Sequence, residues 1–192
     1  MRIIAGTKKG MNLFSPKTDI SRPITDRVKE ALFNVLASSD LLAGKSVADL
    51  FSGVGSMGIE SLSRGASSAL FVEKDFGIVS ILKKNIAKAG FAEKSKVIRA
   101  DAFKVGAPVD IQQHDLVFID PPYRLTMNVG INSPLAGLLD ILSGQMTPSG
   151  IAVIRTEVPA SLLDQYGKFC IIDRRQWGKM NVAFLGKSRE NS

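Results

Sequence analysis

The chain has 192 residues, of which 45% are hydrophobic and 22% are charged, a composition typical of one globular domain. The longest uncharged apolar runs are far too short to cross a bilayer, and the amino terminus lacks a leader pattern, so we expect a cytoplasmic protein with no membrane partner. A single cysteine, Cys170, and a single histidine, His114, exclude an intrachain disulfide and a zinc site built from those residue types. We expect no metal.

The formal net charge of +7 is concentrated at the two ends of the chain. Residues 1–30 hold seven Lys and Arg against three Asp and Glu, and residues 164–192 hold six against three. The segment between them has 12 of each sign. Basic ends around a neutral centre favour a polyanionic partner such as RNA, although charged and solvated termini would produce the same distribution.

Two short strand candidates, residues 2–5 and 11–14, open the chain, and a basic turn with a glycine at each end would join them into a hairpin. Thr25 is placed to cap the helix that follows, in which apolar residues recur at helical spacing from Val28 to Leu36. We therefore divide the chain into a basic extension, residues 1–24, and a second domain, residues 25–192.

From residue 46 onward, continuous apolar runs alternate with helical segments. The runs predict five buried strands and the segments between them predict helices. The strands fall at 46–51, 69–73, 97–100, 116–119 and 151–155, and the helices at 57–64, 77–89 and 134–143. Two further runs, at 169–172 and 182–185, predict an antiparallel edge. This order is typical of the α/β fold class with a doubly wound, mostly parallel, seven-stranded Rossmann-like sheet.

A glycine-rich turn follows the first of these strands. Gly53, Gly55 and Gly58 have the spacing G-x-G-x-x-G, and Glu73 ends the next strand 20 residues after Gly53. This pattern is typical of a loop that binds a dinucleotide or a related cofactor, with the acid accepting hydrogen bonds from ribose hydroxyls. Asp49 at the mouth of the loop would repel a pyrophosphate and attract an ammonium group. We therefore predict S-adenosylmethionine (SAM), which carries both an α-amino group and a sulfonium.

The third strand of this series is followed by Asp101, Ala102 and Phe103. Asp101 could accept a hydrogen bond from the adenine amino group, and an apolar neighbour could pack on the adenine ring. Three successive strand ends with acids, Asp49, Glu73 and Asp101, suit a cationic adenosyl cofactor. The alternative is that each acid simply caps the helix that follows it.

The fourth strand ends in Asp120, Pro121, Pro122 and Tyr123. An exocyclic purine amine is a poor nucleophile because its lone pair is delocalised into the ring. The Asp120 carboxylate and the Pro121 carbonyl could each accept one N–H bond and direct the lone pair at a methyl carbon, while Tyr123 stacks an extruded base. Two prolines stiffen this turn. The motif predicts methylation of an amine by orientation and electrostatics, without a metal.

Together these motifs resemble those of class I SAM-dependent amino-methyltransferases. The sequence Arg-Ile-Ile-Ala-Gly at 2–6 and the sequence Arg-Pro-Ile-Thr-Asp-Arg-Val at 22–28 are similar to those of the bacterial enzymes that methylate guanine N2 in small-subunit (16S) ribosomal RNA. The resemblance extends as far as Gly178 and the closing strand. Ala5 stands where a second glycine is common in this family, and Ile24 where a threonine is common.

The resemblance implies a methyltransferase that uses SAM and acts on ribosomal RNA or the small ribosomal subunit. The oligomeric state stays open, and nothing in the sequence demands more than a monomer. The resemblance also implies that Thr25 and Arg27 close over the methionine end of SAM. The predicted catalytic residues are Asp120, Pro121, Pro122 and Tyr123; the predicted cofactor-binding residues are Thr25, Arg27, Asp49, Phe51, Gly53, Gly55, Ser56, Gly58, Glu73, Lys74, Asp101, Ala102 and Phe103; the predicted RNA-binding residues are Arg2, Lys8, Lys9, Arg22 and Arg124.

Two other functions stay open at this point. The Asp-Pro-Pro-Tyr motif is shared with DNA adenine-N6 methyltransferases, although the chain has no obvious extra domain to read a DNA sequence. An RNA-binding protein with a vestigial cofactor site would bind RNA but not SAM.

Three features receive no predicted part in catalysis. His114 lies in a polar link before the fourth strand and is expected to face solvent, and Cys170 is expected to lie in the core. The uncharged stretch 125–133 after Arg124 is expected to form a loop that either closes over the base or is an ordinary surface connection.

Overall fold

The computed structural model describes residues 1–16, 24–110, 112–157 and 160–188. The helices are α1 (Asp26–Ser38), α2 (Ser56–Ser63), α3 (Phe76–Ala89), α4 (Ala102–Val105) and α5 (Pro134–Gln145). The strands are β1 (Ser46–Leu50), β2 (Ser68–Glu73), β3 (Ser95–Arg99), β4 (His114–Ile119), β5 (Met146–Glu157), β6 (Gln165–Tyr166), β7 (Phe169–Trp177) and β8 (Met180–Lys187). Short 3₁₀ helices span Gly6–Lys8, Ala92–Lys94 and Tyr123–Leu125.

The strands form one sheet in the order β3-β2-β1-β4-β5-β8-β7-β6. In this order, neighbouring strands from β3 across to β5 are parallel. The pairs β5-β8, β8-β7 and β7-β6 are antiparallel. The predicted α/β class and the antiparallel edge are confirmed. The sheet has eight strands rather than seven because the two-residue β6 pairs with β7, and so short a strand leaves no periodicity in the sequence.

Helices cover both faces of the sheet, as the continuous apolar runs require. Successive strand residues point to opposite faces, so Val47 joins a core beneath α1, α2 and α3, whereas Ala48 joins a second core beneath α4 and α5. All five residues of β1 are buried. The ends of the central parallel strands therefore meet at one edge, between the two helical layers.

The amino-terminal segment folds back on itself and packs against the sheet domain. Arg2 and Asn12 form an antiparallel bridge, and the Ile3 amide donates to the Met11 carbonyl at 2.9 Å. Ile3 and Leu13 are buried in the same core as α1 and α2. The predicted hairpin is present as this single bridge and its turn, and the domain boundary at residue 24 stays a prediction.

Helix α1 buries a different set of residues from the purely apolar stripe that its spacing predicts. Thr25 caps it as expected, its hydroxyl accepting from the Val28 amide at 3.4 Å. Leu32 and Leu36 are buried, but Lys29 is also buried, with 1% of its surface exposed. A buried lysine requires a partner, and α2 provides one, as described below.

The prediction that His114 faces solvent is wrong. His114 begins β4 and is buried, with ring Nδ1 3.1 Å from the Ser46 hydroxyl. Burial lowers the pKa of its imidazole, so the ring is neutral at pH 7. Strand β4 starts two residues before the apolar run at 116–119 because its backbone already pairs with β5 at His114, and backbone pairing does not require an apolar side chain. Cys170 is half-buried rather than in the core, because β7 lies next to the sheet edge.

Candidate active site

Four carboxylates lie at the carboxyl edge of neighbouring parallel strands. Asp49 lies in β1, Glu73 ends β2, Asp101 follows β3 and Asp120 follows β4. Since the sheet order is β3-β2-β1-β4, the four strand ends are consecutive across the sheet. In open α/β sheets this edge is the usual place for a ligand.

Asp49 is the most deeply buried of these acids, with 1% of its surface exposed. Burial raises the pKa of the Asp49 carboxyl to about 8, the negative charges of Asp120 and Glu73 add to the shift, and hydrogen bonds from Gly58 and Met57 amides oppose it. The Gly58 amide donates to Asp49 Oδ2 at 2.8 Å. A cation beside this carboxyl would favour its ionised form at pH 7, which fits an ammonium ligand.

Glycine is required at two positions of the loop for different reasons. Gly55 caps the start of α2 with φ +91°, a left-handed conformation that other residues rarely adopt. Gly58 lies in the first turn of α2, where a Cβ atom would stand 2.3 Å from Cε1 of Phe71 on β2. The missing side chain lets α2 approach the sheet closely enough for the Gly58 amide to reach Asp49.

Glu73 fixes the rim of the loop. Its Oε2 accepts from the Gly53 amide at 2.9 Å, and its Oε1 accepts from the amides of Lys74 and Asp75 at 2.8 and 2.9 Å. The cap of α3 is Asp75, whose carboxylate accepts from the Ile78 amide at 2.9 Å. Helix capping therefore does not account for Glu73, and its half-exposed carboxylate lies at the loop mouth.

Asp101 does cap a helix, since its Oδ1 accepts from the Phe103 amide at 3.2 Å at the start of α4. Its Oδ2 lies 3.1 Å from Lys74 Nζ. Desolvation acts to raise the pKa of Asp101, but the hydrogen bonds from Lys74 and Phe103 outweigh it and hold the pKa below its ordinary value. Phe103 packs against Phe51 with ring centroids 4.8 Å apart, and these rings form an apolar wall beside Asp101.

Asp120 forms an ion pair that sequence reasoning missed. Arg155 Nε lies 2.6 Å from Asp120 Oδ1, and the two side chains are 22% and 28% exposed. Ile119 on β4 and Ile154 on β5 are paired, so the next residue of each strand meets its neighbour at the sheet edge. The fifth apolar run ends in Arg155, and the parallel order could have indicated that its side chain reaches the same edge as the four acids.

The rest of the Asp-Pro-Pro-Tyr motif makes a tight turn. Pro121 is buried and Pro122 is exposed. The Leu125 amide donates to the Pro122 carbonyl at 2.8 Å, which closes the short 3₁₀ helix that starts at Tyr123. The motif therefore leads from the buried strand directly into a surface loop.

The first turn of α1 lies beside the glycine loop. Lys29 Nζ lies 3.4 Å from the Ser56 hydroxyl at the start of α2, and it donates to the Arg2 carbonyl at 2.6 Å. Thr25 and Arg27, at the same end of α1, are both exposed. Their closure over the methionine end of SAM stays a prediction.

The predicted RNA-binding residues do not form one patch. Arg124 is exposed beside the Asp-Pro-Pro-Tyr motif, and Arg2 pairs with Asp26 at 2.7 Å near the start of α1. Lys8 lies at the far end of α2, where its amide donates to the Ser63 hydroxyl at 3.0 Å, and the exposed Lys9 follows it. An eight-residue helix is about 12 Å long, so these lysines flank the opposite edge of the sheet. Arg22 lies outside the described residues.

Neither a membrane-spanning helix nor a metal-binding cluster is found in the part of the chain that the structure describes. No helix there is both long and apolar enough to span a bilayer. No cluster of three or more His, Cys, Asp or Glu side chains there is arranged to hold a metal ion.

Comparison with known proteins identifies the family. The chain is 29% identical over 191 residues to a Bacillus subtilis (strain 168) protein named "Putative rRNA methyltransferase YlbH". The alignment covers 97% of this chain and 99% of that protein. It is 40% identical over 126 residues to "Ribosomal RNA small subunit methyltransferase D" of Escherichia coli (strain K12), an alignment covering 65% of this chain and 61% of that protein.

Among solved structures, the "Putative methyltransferase yhhF from Escherichia coli" superposes with a TM-score of 0.82 and 28% identity, covering 99% of both chains. The match confirms the predicted class I methyltransferase fold. The family described as "Conserved hypothetical protein 95" matches residues 1–186 of the sequence. The chain is therefore a member of this family.

Proposed function

We propose that this protein transfers a methyl group from SAM to the exocyclic N2 amine of a guanine in small-subunit ribosomal RNA. The observation that carries the proposal is the position of Asp120, paired with Arg155, next to the acid-lined edge that holds Asp49 and Glu73. The names of the relatives, an rRNA methyltransferase and a small-subunit rRNA methyltransferase, support the reaction class and the RNA.

The residues at this edge fit SAM group by group. The buried Asp49 suits the α-amino group, because an ammonium partner offsets the cost of ionising this carboxyl. Glu73 suits the ribose hydroxyls, and Asp101 with Phe103 suits the adenine. When bound, SAM supplies an electrophilic methyl group on a positively charged sulfur.

The residues of this chain then act by orienting the amine. The Asp120 carboxylate and the Pro121 carbonyl would accept the two N–H bonds and favour the pyramidal nitrogen, which directs its lone pair at the methyl group that SAM would supply. The nitrogen then loses one proton to Asp120 or to solvent. Arg155 holds the Asp120 carboxylate in one orientation, which limits the rotation that would otherwise weaken this alignment.

Tyr123 is proposed to stack the extruded guanine. Its backbone begins the short 3₁₀ helix directly after the two prolines, so it follows Asp120 closely in the chain. Stacking on an aromatic ring contributes about 1–3 kcal/mol per base in single-stranded nucleic acid binding.

The test offers three substrates to the purified protein with methyl-labelled SAM: small ribosomal subunits and deproteinised small-subunit RNA, both from cells lacking the gene, and duplex DNA. Mass spectrometry of the nucleosides is expected to find N2-methylguanosine in RNA and no label in DNA. The Asp120→Ala variant, which removes the acceptor oxygen, is expected to bind SAM but transfer no methyl group. N6-methyladenine in DNA would contradict the proposal, as would RNA binding without SAM binding, which is the mark of a vestigial cofactor site.

A further inference from the structure

The loop that follows the catalytic motif displays a cluster of apolar side chains to solvent. Leu125, Met127 and Ile131 are 43%, 60% and 63% exposed. They are three of the nine large hydrophobic side chains that are exposed among the described residues, and they fall within seven consecutive positions. Isolated apolar side chains on a surface need no explanation, but a cluster beside an active site indicates a contact surface.

The backbone of this loop is held in place, so the exposure of these side chains is not a result of fraying. Thr126 and Val129 are buried, and the Tyr166 hydroxyl donates to the Val129 carbonyl. The Ser133 amide donates to the Gly130 carbonyl at 3.0 Å, and Ser133 caps α5. The loop therefore turns Thr126, Val129 and Ser133 inward and presents Met127 and Ile131 on a fixed framework.

The charge of the segment suits a polyanion. Between Pro121 and Leu139 the sequence contains no Asp or Glu, and its one charged residue is Arg124, which is exposed. A phosphate backbone can approach this loop without repulsion, and Arg124 can contact it. This charge disfavours a basic protein surface as the occupant, and RNA is the polyanion that the adjacent site is proposed to methylate.

We propose that Met127 and Ile131 enter the base stack of the RNA and occupy the space that the target guanine leaves when it rotates towards Asp120. This inference rests on the proposed function, because it concerns how that site obtains its substrate. A base in a folded RNA is stacked, and extracting it leaves an apolar gap between its neighbours. Proteins that unstack nucleic acids insert apolar side chains such as Met, Leu, Ile or Phe into such gaps. Met127 is unbranched and flexible, which suits insertion between bases.

The test uses the full chain and the guanine that the wild-type protein methylates, mapped in small-subunit RNA. One RNA presents this guanine in its natural folded segment, and a second presents it in an unstructured single strand. The combined Met127→Ala and Ile131→Ala variant is compared with Ile172→Ala, a matched control on β7 that removes a similarly exposed side chain, 58% against 63% for Ile131.

The double variant is expected to lose at least about tenfold in kcat/KM on the folded RNA and less than about threefold on the single strand, with SAM affinity unchanged. A second measurement replaces the target guanine of the folded RNA by the fluorescent base 2-aminopurine. Binding of the wild type is expected to raise the fluorescence of this base, whereas binding of the double variant is not. Ile172→Ala is expected to behave as the wild type, and the combined Met127→Leu and Ile131→Val variant, which keeps apolar side chains of similar size, is expected to recover most of the kcat/KM that the double alanine variant loses on the folded RNA.

Equal losses on the two RNAs, or no loss on either, would overturn the inference. So would a loss seen with assembled subunits but not with the folded RNA alone, since that result assigns the loop to a ribosomal protein. If the wild type methylates no RNA at all, the proposed function itself fails, and the inference fails with it.

Discussion

Arg155 Nε lies 2.6 Å from Asp120 Oδ1, joining the ends of two parallel strands at the centre of the site. The pair is about one quarter exposed, so a substrate can reach the carboxylate while the guanidinium holds it. Charge-assisted hydrogen bonds of this length are among the stronger ones in proteins, and they also fix orientation. Arg155 is accordingly a positioning residue in the proposed reaction.

We predict that Arg155→Gln lowers kcat by about tenfold to a hundredfold, because the Asp120 carboxylate then rotates away from the geometry that aligns the amine. Arg155→Lys is expected to fall between this variant and the wild type, since it keeps the charge but not the planar donor group. Initial rates with saturating SAM and RNA measure kcat, and the SAM dissociation constant of each variant shows whether SAM binding is retained.

The matched control for this prediction is Arg175→Gln, which breaks the exposed pair between Arg175 Nε and Asp173 Oδ2 at 2.8 Å on β7. This control is expected to leave kcat unchanged. A kcat for Arg155→Gln within about twofold of the wild type would show that Asp120 needs no such partner.

Asp49 should couple SAM binding to proton release. With a pKa of about 8, this carboxyl is mostly protonated at pH 7 in the free protein, and an ammonium ligand favours its ionised form. We predict net proton release on SAM binding at pH 7 and tighter binding as the pH rises from 6 towards 8. Calorimetry in buffers of different ionisation enthalpy measures the protons released. Unchanged release from Asp49→Asn would contradict the assignment.

The same group should shape the pH dependence of stability. Its folded-state pKa of about 8 lies above its ordinary value of 3.8, so between these values the folded protein binds more protons at this site than the unfolded chain. The contribution of Asp49 to the free energy of unfolding therefore decreases as the pH rises from about 4 to about 8. Urea titrations at pH 5 and pH 8 give the free energy of unfolding at each pH. Asp49→Asn is expected to reduce the difference between these two free energies.

Glu60 on α2 ties the amino-terminal segment to the rest of the domain. It is fully buried, pairs with Lys29 at 3.2 Å and Arg64 at 2.8 Å, and accepts from the amides of Ile4 and Ala5 at 2.7 and 3.0 Å. Burial lowers the pKa of Lys29, and the charge of Glu60 acts in the opposite direction. We predict that Glu60→Gln lowers the free energy of unfolding by about 3–5 kcal/mol, because it leaves buried cations without their counter-ion.

Urea denaturation at pH 7 measures this change. Asp173→Asn, which breaks the exposed pair with Arg175, is the control and is expected to cost about 0–1 kcal/mol. If Glu60→Gln lowers the free energy of unfolding by less than about 1 kcal/mol, the Glu60 charge contributes little to stability in the wild type, which contradicts the prediction.

Gly58 and Gly137 offer a matched pair of glycine-to-alanine changes in helices. At Gly58 the new methyl group would overlap Phe71, whereas at Gly137 in α5 nothing lies within 4 Å. We predict that Gly58→Ala costs about 1–3 kcal/mol of stability and weakens SAM binding, since moving α2 breaks the contact between the Gly58 amide and Asp49. Gly137→Ala is expected to stabilise by about 0.5–1 kcal/mol, through the better helix propensity of alanine. Thermal denaturation with and without SAM separates the two effects.

The local features of this site were predictable because they depend on neighbours in the chain. The spacing of Gly53, Gly55 and Gly58 after an apolar run indicates a turn between a strand and a helix, and Thr25 is a capping residue placed before an amphipathic stretch. Alternation of runs and helices makes the sheet parallel, and a parallel sheet brings Asp49, Glu73 and the other strand-end acids to one edge.

The tertiary structure decided which distant side chains meet. Arg155 reaches Asp120 only because β5 pairs with β4 in a register that aligns Ile154 with Ile119, and no spacing along the chain encodes that register. Lys29 is buried because Glu60 of α2 faces it, so a charged residue replaces part of the apolar stripe. Periodicity reports how one element divides between core and solvent, whereas ion pairs between elements depend on how those elements pack.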